Sequence, residues 1–199
     1  RLRSGIAPIN AYRRHKVVTA LGIDEAGLND DRDMLVEMRL ALRLHRVPGL
    51  EEADVPTPAE ILQMATSGGA ATTAFKARIG QLEEGRAADL VIFDWDQVSF
   101  PYLSDDVGVV DALVQRAKSE NIAYVMVGGE IVVDHGQFRR VDRAAALQEL
   151  SKTLSRPETA IEQRNRKLGL GLVKYARDVY ADYLSAKRGT PFYRQNASE

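Results

Sequence analysis

Two adjacent glycines in the second half of the chain place the strongest constraint on its fold. Gly128 and Gly129 separate two short runs rich in β-branched and other apolar residues, 122–127 and 130–134. A two-residue connection of this kind favours a tight hairpin, because glycine adopts the positive φ angles that such turns require. The sequence therefore predicts two antiparallel strands joined at this point.

Shorter strand-like segments precede the hairpin. Residues 80–82 predict a brief strand, residues 83–86 a turn, and residues 89–94 a buried strand between two aspartates. Residues 105–119 are compatible with a helix. We therefore expect the region 76–140 to be rich in β-structure.

The first 75 residues favour a strand followed by helices. Residues 16–22, KVVTALG, form a short apolar run that ends in glycine, which predicts a buried strand. Apolar residues then recur at spacings of three and four over 34–42, which predicts a helix. Thr57 and Glu60 begin a second helix with a capping box, and we expect it to end at the glycines 68–69.

The region 141–199 predicts helices and a loose tail from residue 189. Asp142 is placed to cap a helix that runs to Leu154, and Pro157 to start another. We expect the second helix to dock on the body of the protein or on a second subunit, so a homo-oligomer is predicted. Membrane-surface binding is a weaker interpretation, because both charge signs decorate its polar face. The expected docking stripe consists of Ile161, Leu168, Leu172, Ala176, Val179 and Tyr183.

Composition narrows the classes of function. The 199 residues are 45% hydrophobic and 28% charged, as in ordinary globular proteins, and the net charge of −1 gives no electrostatic case for nucleic acid or an anionic membrane. The absence of cysteine excludes disulfides and thiolate metal sites within these residues, and it fits a reducing compartment, so we expect a cytoplasmic protein. Small molecules or other proteins are the expected partners.

Asp24 is the candidate functional residue. It follows the apolar run 16–22 and precedes a helix, where parallel α/β folds place their working residues. The alternative is a loop aspartate that caps a turn or a helix. An acidic cluster surrounds it, and three of its members suit the positive end of the next helix. The cluster consists of Glu25, Asp30, Asp31 and Asp33.

The three histidines lie far apart in the sequence. His15 is in a basic segment, His45 is near the end of a predicted helix, and His135 follows a predicted strand. None forms the HxH or HExxH spacing that brings two imidazoles onto one zinc ion. We therefore interpret them as surface or capping residues.

Five motifs in a fixed order carry a resemblance to a known family. They are SGIAP at 4–8, LGID at 21–24, DMLVEMR at 33–39, IGQLEEGRAADLV at 79–91 and VMVGGEIV at 125–132. In this order they resemble the C-terminal portion of metal-dependent amidohydrolases that deaminate cyclic amidines and aminopurines or dechlorinate triazines.

The resemblance implies an α/β fold: residues 1–75 would end a (β/α)8 TIM barrel, 76–140 would form the C-terminal share of a composite β-sandwich, and 141–199 would add helices. It implies one divalent cation, zinc or iron, with Asp24 as the metal ligand on strand eight. The metal lowers the pKa of bound water, and the aspartate can take the proton and pass it to the leaving group. A small heterocyclic molecule would be the substrate.

Departures from the family pattern limit what the chain can do alone. Ile23 stands where the family has threonine, and Glu25 where it has a small residue. The family's histidine ligands have no counterpart here, and one aspartate cannot hold zinc. We therefore expect a fragment that needs the N-terminal part of the barrel or a partner subunit and is inactive by itself. The alternatives are a non-catalytic interaction module or a chlorohydrolase of the same superfamily.

Overall fold

The computed structural model describes residues 6–24, 32–46 and 49–185, with side chains described as far as residue 181. The chain divides into two compact units, Arg1–Val141 and Asp142–Glu199. Each unit is treated below by itself. The predicted loose tail from residue 189 lies outside the described residues.

The first unit begins with helices and ends with a small sheet. Its helices are α1 (Ile9–Arg14), α2 (Met34–Leu44), α3 (Pro58–Gln63), α4 (Gly69–Ala71), α5 (Trp95–Ser99) and α6 (Val109–Arg116). A π-helical turn, Met64–Gly68, joins α3 to α4, and short 3₁₀ turns lie at Glu52–Asp54 and Ser119–Asn121. The strands are β1 (Leu90–Phe93), β2 (Ile122–Val127), β3 (Glu130–Asp134) and β4 (Gln137–Phe138).

The four strands form one open antiparallel sheet in the order β1-β2-β3-β4. The predicted hairpin is confirmed: Val127 pairs with Glu130, and Gly128 and Gly129 have φ angles of 57° and 86°. Two consecutive positive φ angles are typical of the primed turn that matches the twist of antiparallel strands. The structure is therefore mixed α/β, as predicted, with an antiparallel sheet.

Two predicted strands are absent from this sheet. Residues 16–22 and 80–82 adopt no β-structure. A strand requires a neighbouring backbone to complete its hydrogen-bond ladder, and no described strand lies beside either segment. The described residues alone therefore do not form the strand predicted at 16–22.

The strand within 89–94 is present as β1, but it is not buried. Val91 is 52% exposed and Ile92 is 41% exposed. Successive side chains of a strand point to opposite faces, so both faces of the sheet are partly open at β1. The apolar run correctly predicted a strand, whereas burial depends on what covers the sheet.

The caps predicted at Thr57 and Asp142 are confirmed, and Asp33 is a further cap that the sequence did not single out. The Asp33 carboxylate accepts a hydrogen bond from the Leu35 N–H at the start of α2, at 2.8 Å. Thr57 and Glu60 form a reciprocal capping box at the start of α3. Asp142 accepts from the Ala145 N–H at the start of α7 (Arg143–Ser155).

Helix limits differ from the predictions in three places. The helix that begins at Pro58 continues through residues 68–69 to Ala71 by way of the π turn. The helix predicted within 105–119 is the shorter α6. The last helix, α8 (Ala160–Ser185), begins after Pro157, because Thr159 and Glu162 form its capping hydrogen bonds.

The core of the first unit lies between α2, α3, α5 and α6. Ile61 and Val114 have no exposed surface, and Leu42 and Val98 are nearly as buried. The Arg39 guanidinium donates to the carbonyl of Ala117 at 2.6 Å, which ties α2 to the end of α6. No helix among the described residues is long and apolar enough to cross a membrane.

Candidate functional site

The segment that leads to Asp24 lies against the α3–α4 helix. The Leu21 N–H donates to the Met64 carbonyl at 3.0 Å. Met64 begins the π turn, a local irregularity that occurs often at functional sites. This backbone hydrogen bond holds the segment against the helix, although the segment belongs to no sheet.

Gly68 permits this close approach. A Cβ atom built on Gly68 would lie 2.4 Å from the Thr19 carbonyl oxygen, well inside van der Waals contact. The sequence interpretation of residues 68–69 as a helix end missed this role. The available signal was a pair of glycines inside an otherwise apolar helical pattern.

Asp24 lies at the end of this segment, exposed, with a φ angle of 65°. A positive φ is uncommon for residues other than glycine, although aspartate and asparagine tolerate it better than most. Strained backbone of this kind is concentrated at functional sites. Of the acidic cluster, Asp33 caps α2, while Glu25, Asp30 and Asp31 lie outside the described residues.

A cleft of 410 Å³ lies beside the start of the same segment, and Asp24 is not among its lining residues. Arg13 on α1 makes a bidentate ion pair with Glu60 on its wall, with nitrogen–oxygen distances of 2.8 Å to both carboxylate oxygens. Burial disfavours the Glu60 carboxylate, but hydrogen bonds from Thr57 and Arg13 outweigh it, so its pKa is lowered from 4.5.

Glu60→Gln should flatten the dependence of stability on pH in acid. Because the folded pKa lies below 4.5, the carboxylate stabilises the fold fully above 4.5, and this stabilisation is lost as pH falls through the folded pKa. Glutamine keeps the capping geometry but does not titrate. Urea unfolding at a series of acid pH values measures the difference, with Glu51→Gln as an exposed control. Equal slopes for the Glu60→Gln variant and the wild type would contradict the prediction.

The histidines do not converge, as expected from their spacing. His15 follows α1 as its exposed C-cap, and His45 is the buried C-cap of α2. The His135 Nδ1 lies 2.6 Å from a carboxylate oxygen of Asp134, and its ring meets Tyr124 edge-on at a centroid distance of 5.0 Å. His135 is exposed and lies in the turn between β3 and β4.

His45 should make the first unit sensitive to mild acid. Burial lowers its pKa from 6.5, so the unfolded chain takes up this proton first and stability falls as pH drops from 6.5 through the folded pKa. We expect His45→Gln to remove that part of the pH dependence in thermal unfolding scans. His15→Gln, at an exposed position of the same unit, is the matched control for the loss of a histidine.

The described residues do not assemble a complete metal site. Among them, no group of three histidine, cysteine, aspartate or glutamate side chains is close enough to hold an ion. Zinc sites use three or four protein ligands, so Asp24 can supply at most one position. A metal centre that includes Asp24 would need ligands from outside the described part of the chain.

Comparison with known proteins gives relatives that are named as deaminases. The 5-methylthioadenosine/S-adenosylhomocysteine deaminase of Natronomonas pharaonis is 33% identical over 152 residues, which cover 76% of this chain and 34% of that protein. The 5′-deoxyadenosine deaminase of Methanopyrus kandleri is 34% identical over 148 residues, covering 74% and 33%. The chain thus spans about a third of the length of these relatives.

Two solved structures align with about three quarters of this chain. An adenosine deaminase from Xanthomonas campestris with bound zinc aligns with a TM-score of 0.65 at 29% identity, covering 75% of this chain and 33% of that one. The zinc complex of atrazine chlorohydrolase from Arthrobacter aurescens aligns with a TM-score of 0.66 at 28% identity, covering 74% and 32%.

The sequence model of the amidohydrolase family matches residues 1–132, which is most of the first unit. That range contains the Asp24 segment, the π turn, β2 and the start of β3. The chain therefore belongs to the amidohydrolase family.

Proposed function

We propose that this chain is the C-terminal third of a metal-dependent aminohydrolase that releases ammonia from an aminopurine-like ring. The family match over residues 1–132 carries the proposal. Identities of 33–34% to deaminases of substituted adenosines support the reaction class. The isolated chain is expected to be inactive, because its described residues offer one carboxylate and no complete ligand set.

In this proposal each region has a structural role in a longer or multi-chain enzyme. Residues 1–75 complete a (β/α)8 barrel, and the segment before Asp24 becomes a paired strand once neighbouring strands are present. Residues 76–140 form one share of a β-sandwich, which would cover the exposed side chains of β1. Residues 141–199 add the terminal helices.

Asp24 is the proposed catalytic and metal-binding residue of this portion. Its exposed carboxylate terminates a segment that the Leu21–Met64 hydrogen bond holds in place. A carboxylate so placed can occupy one coordination position of a zinc or iron ion and can accept a proton during hydrolysis. The left-handed backbone at Asp24 supports the role, since such strain is characteristic of functional positions.

Two other functions are compatible with the same fold. A chlorohydrolase is supported by the structural alignment to atrazine chlorohydrolase, but at 28% identity this is weaker than the similarity to the deaminases. A non-catalytic module is supported by the lack of a metal-ligand group among the described residues. In the module, Asp24 would serve only as a turn residue.

An ammonia-release assay separates these functions. The chain would be expressed with the coding sequence upstream of Arg1 and offered adenosine, 5′-methylthioadenosine and atrazine. The proposal predicts ammonia release from an aminopurine nucleoside, and chloride release from atrazine alone would instead support the chlorohydrolase. Absence of both reactions in a folded, zinc-supplied protein would favour the module and contradict the proposal.

A further inference from the structure

We propose that α8 pairs with α8 of a second copy of this chain in an antiparallel, two-fold symmetric coiled coil. The inference rests on a line of side chains along α8, called here the α8 seam. Its large apolar members are strongly exposed, for example Leu168 at 57% and Leu172 at 64%. The α8 seam consists of Ile161, Asn165, Leu168, Leu172, Tyr175 and Val179.

The seam has the spacing of a coiled coil. Its members follow one another at alternating intervals of four and three residues, which is the a/d pattern of a heptad repeat. Asn165 occupies an a position, where a single polar residue is known to fix register and oligomeric state.

The seam is complementary to itself when the second helix runs in the opposite direction. In antiparallel coiled coils each a residue lies level with a d residue of the partner helix. If the two-fold axis of the pair lies level with Leu170, Leu168 of each helix packs against Leu172 of the other helix. This contact occurs twice by symmetry. The layers are Leu168 with Leu172, Asn165 with Tyr175, and Ile161 with Val179, each occurring twice.

The charges beside the seam agree with the same register. Arg164 and Asp178 occupy flanking g positions, both exposed, and g positions face each other across an antiparallel pair. The crossing at Leu170 brings Arg164 of one helix to Asp178 of the other, twice by symmetry. A parallel pair in register would instead bring Arg164 to Gly169, with no opposite charge. Charge complementarity therefore favours an antiparallel second copy.

The proposed pairing accounts for two glycines of α8. Gly169 and Gly171 lie mid-helix, where each glycine costs about 1 kcal/mol relative to alanine. A Cβ built on either would meet nothing within 4 Å, so no contact among the described residues of the second unit requires them. In the proposed register each lies opposite its own copy beside the crossing point. Small residues there allow the two backbones to approach closely.

Sedimentation of the full chain at concentrations up to about 100 µM tests the pairing. A dimer is expected for the wild type. Asp178→Arg and Arg164→Asp each replace two attractive pairs by two repulsive ones, and each should raise the dimer dissociation constant roughly 30-fold. The double variant R164D/D178R restores both pairs and should return to within about threefold of the wild type.

Lys174→Asp is the matched control, because it reverses an exposed charge on α8 away from the seam and should leave the dissociation constant unchanged. Circular dichroism confirms that each variant keeps its helix content. A wild-type chain that stays monomeric would overturn the proposal, as would a dimer that is insensitive to the single reversals or is not restored by the double one.

The direction of pairing can be read separately, because the chain has no native cysteine. A cysteine introduced as Gly171→Cys would lie near its own copy, whereas one introduced as Ile161→Cys would lie about 27 Å from its copy along the helix axis. A short bis-maleimide should therefore crosslink the first variant and not the second. Efficient crosslinking of Ile161→Cys would indicate a parallel pair and overturn the antiparallel assignment.

Discussion

Asp24→Asn in the complete enzyme is expected to lower kcat/KM for ammonia release by about 1,000-fold, because it removes the charge that the proposed role requires. Asparagine keeps the size of the side chain and tolerates the left-handed φ of 65° at this position. Asp24 is exposed, so the free energy of unfolding should change little. Steady-state kinetics with the best aminopurine substrate measures the effect.

Asp33→Asn is the matched control for this substitution. Asp33 lies in the same acidic stretch but caps α2, and asparagine is an equally good capping residue. Its activity should remain within about twofold of the wild type. If Asp24→Asn kept more than about a tenth of the activity, the catalytic assignment of Asp24 would be wrong.

Gly68→Ala is expected to be strongly destabilising. The added methyl group would lie 2.4 Å from the Thr19 carbonyl oxygen, and the atom it meets is backbone, which cannot rotate away. Either the helix or the segment that leads to Asp24 must move, at a cost of about 2–3 kcal/mol in the free energy of unfolding. Urea unfolding followed by circular dichroism gives this value directly.

Gly69→Ala serves as the control at the neighbouring position. A Cβ on Gly69 has its nearest neighbour at 3.9 Å, an ordinary contact, and its φ of −58° is helical. Alanine should therefore be neutral there or stabilising by up to about 1 kcal/mol. Equal destabilisation by the two substitutions would contradict the close-approach role of Gly68.

Features encoded by a few adjacent residues could be predicted from the sequence. The hairpin at Gly128-Gly129 depends on two positive φ angles, which glycine adopts without strain. The caps at Thr57 and Asp142 depend on one side chain and an N–H three residues away. Local chemistry determines such features whatever the rest of the fold does.

Features that depend on distant parts of the chain were predicted less well. The apolar run 16–22 has the composition of a strand, but a strand also needs a neighbour, and the described residues supply a helix instead. The sequence predicted a helix end at Gly68. It could not reveal the close contact with Thr19, because the two residues are far apart in the sequence and meet only in the folded chain. The exposure of Val91 likewise depends on what covers the sheet and not on its own composition.

The candidate site also combines features that the local sequence indicates with features that depend on residues elsewhere. The position of Asp24 after an apolar run left both a functional carboxylate and a loop cap open, whereas the ordered motifs identified the family that the comparison then confirmed. The remaining ligands could not be predicted, because the chain spans about a third of its relatives and the described residues assemble no metal-binding group. The role proposed for Asp24 therefore requires an assembly larger than these 199 residues.

Metal content is the most direct test of the central claim that Asp24 is one ligand of a catalytic metal. The enzyme that contains this chain together with its upstream sequence would be purified, dialysed against a weak chelator and analysed for zinc and iron, beside its Asp24→Asn variant. The account predicts about one ion per chain in the wild type and clearly less in the variant at equal folded fraction. A wild type without metal, or a variant that retains both its ion and its ammonia release, would contradict it.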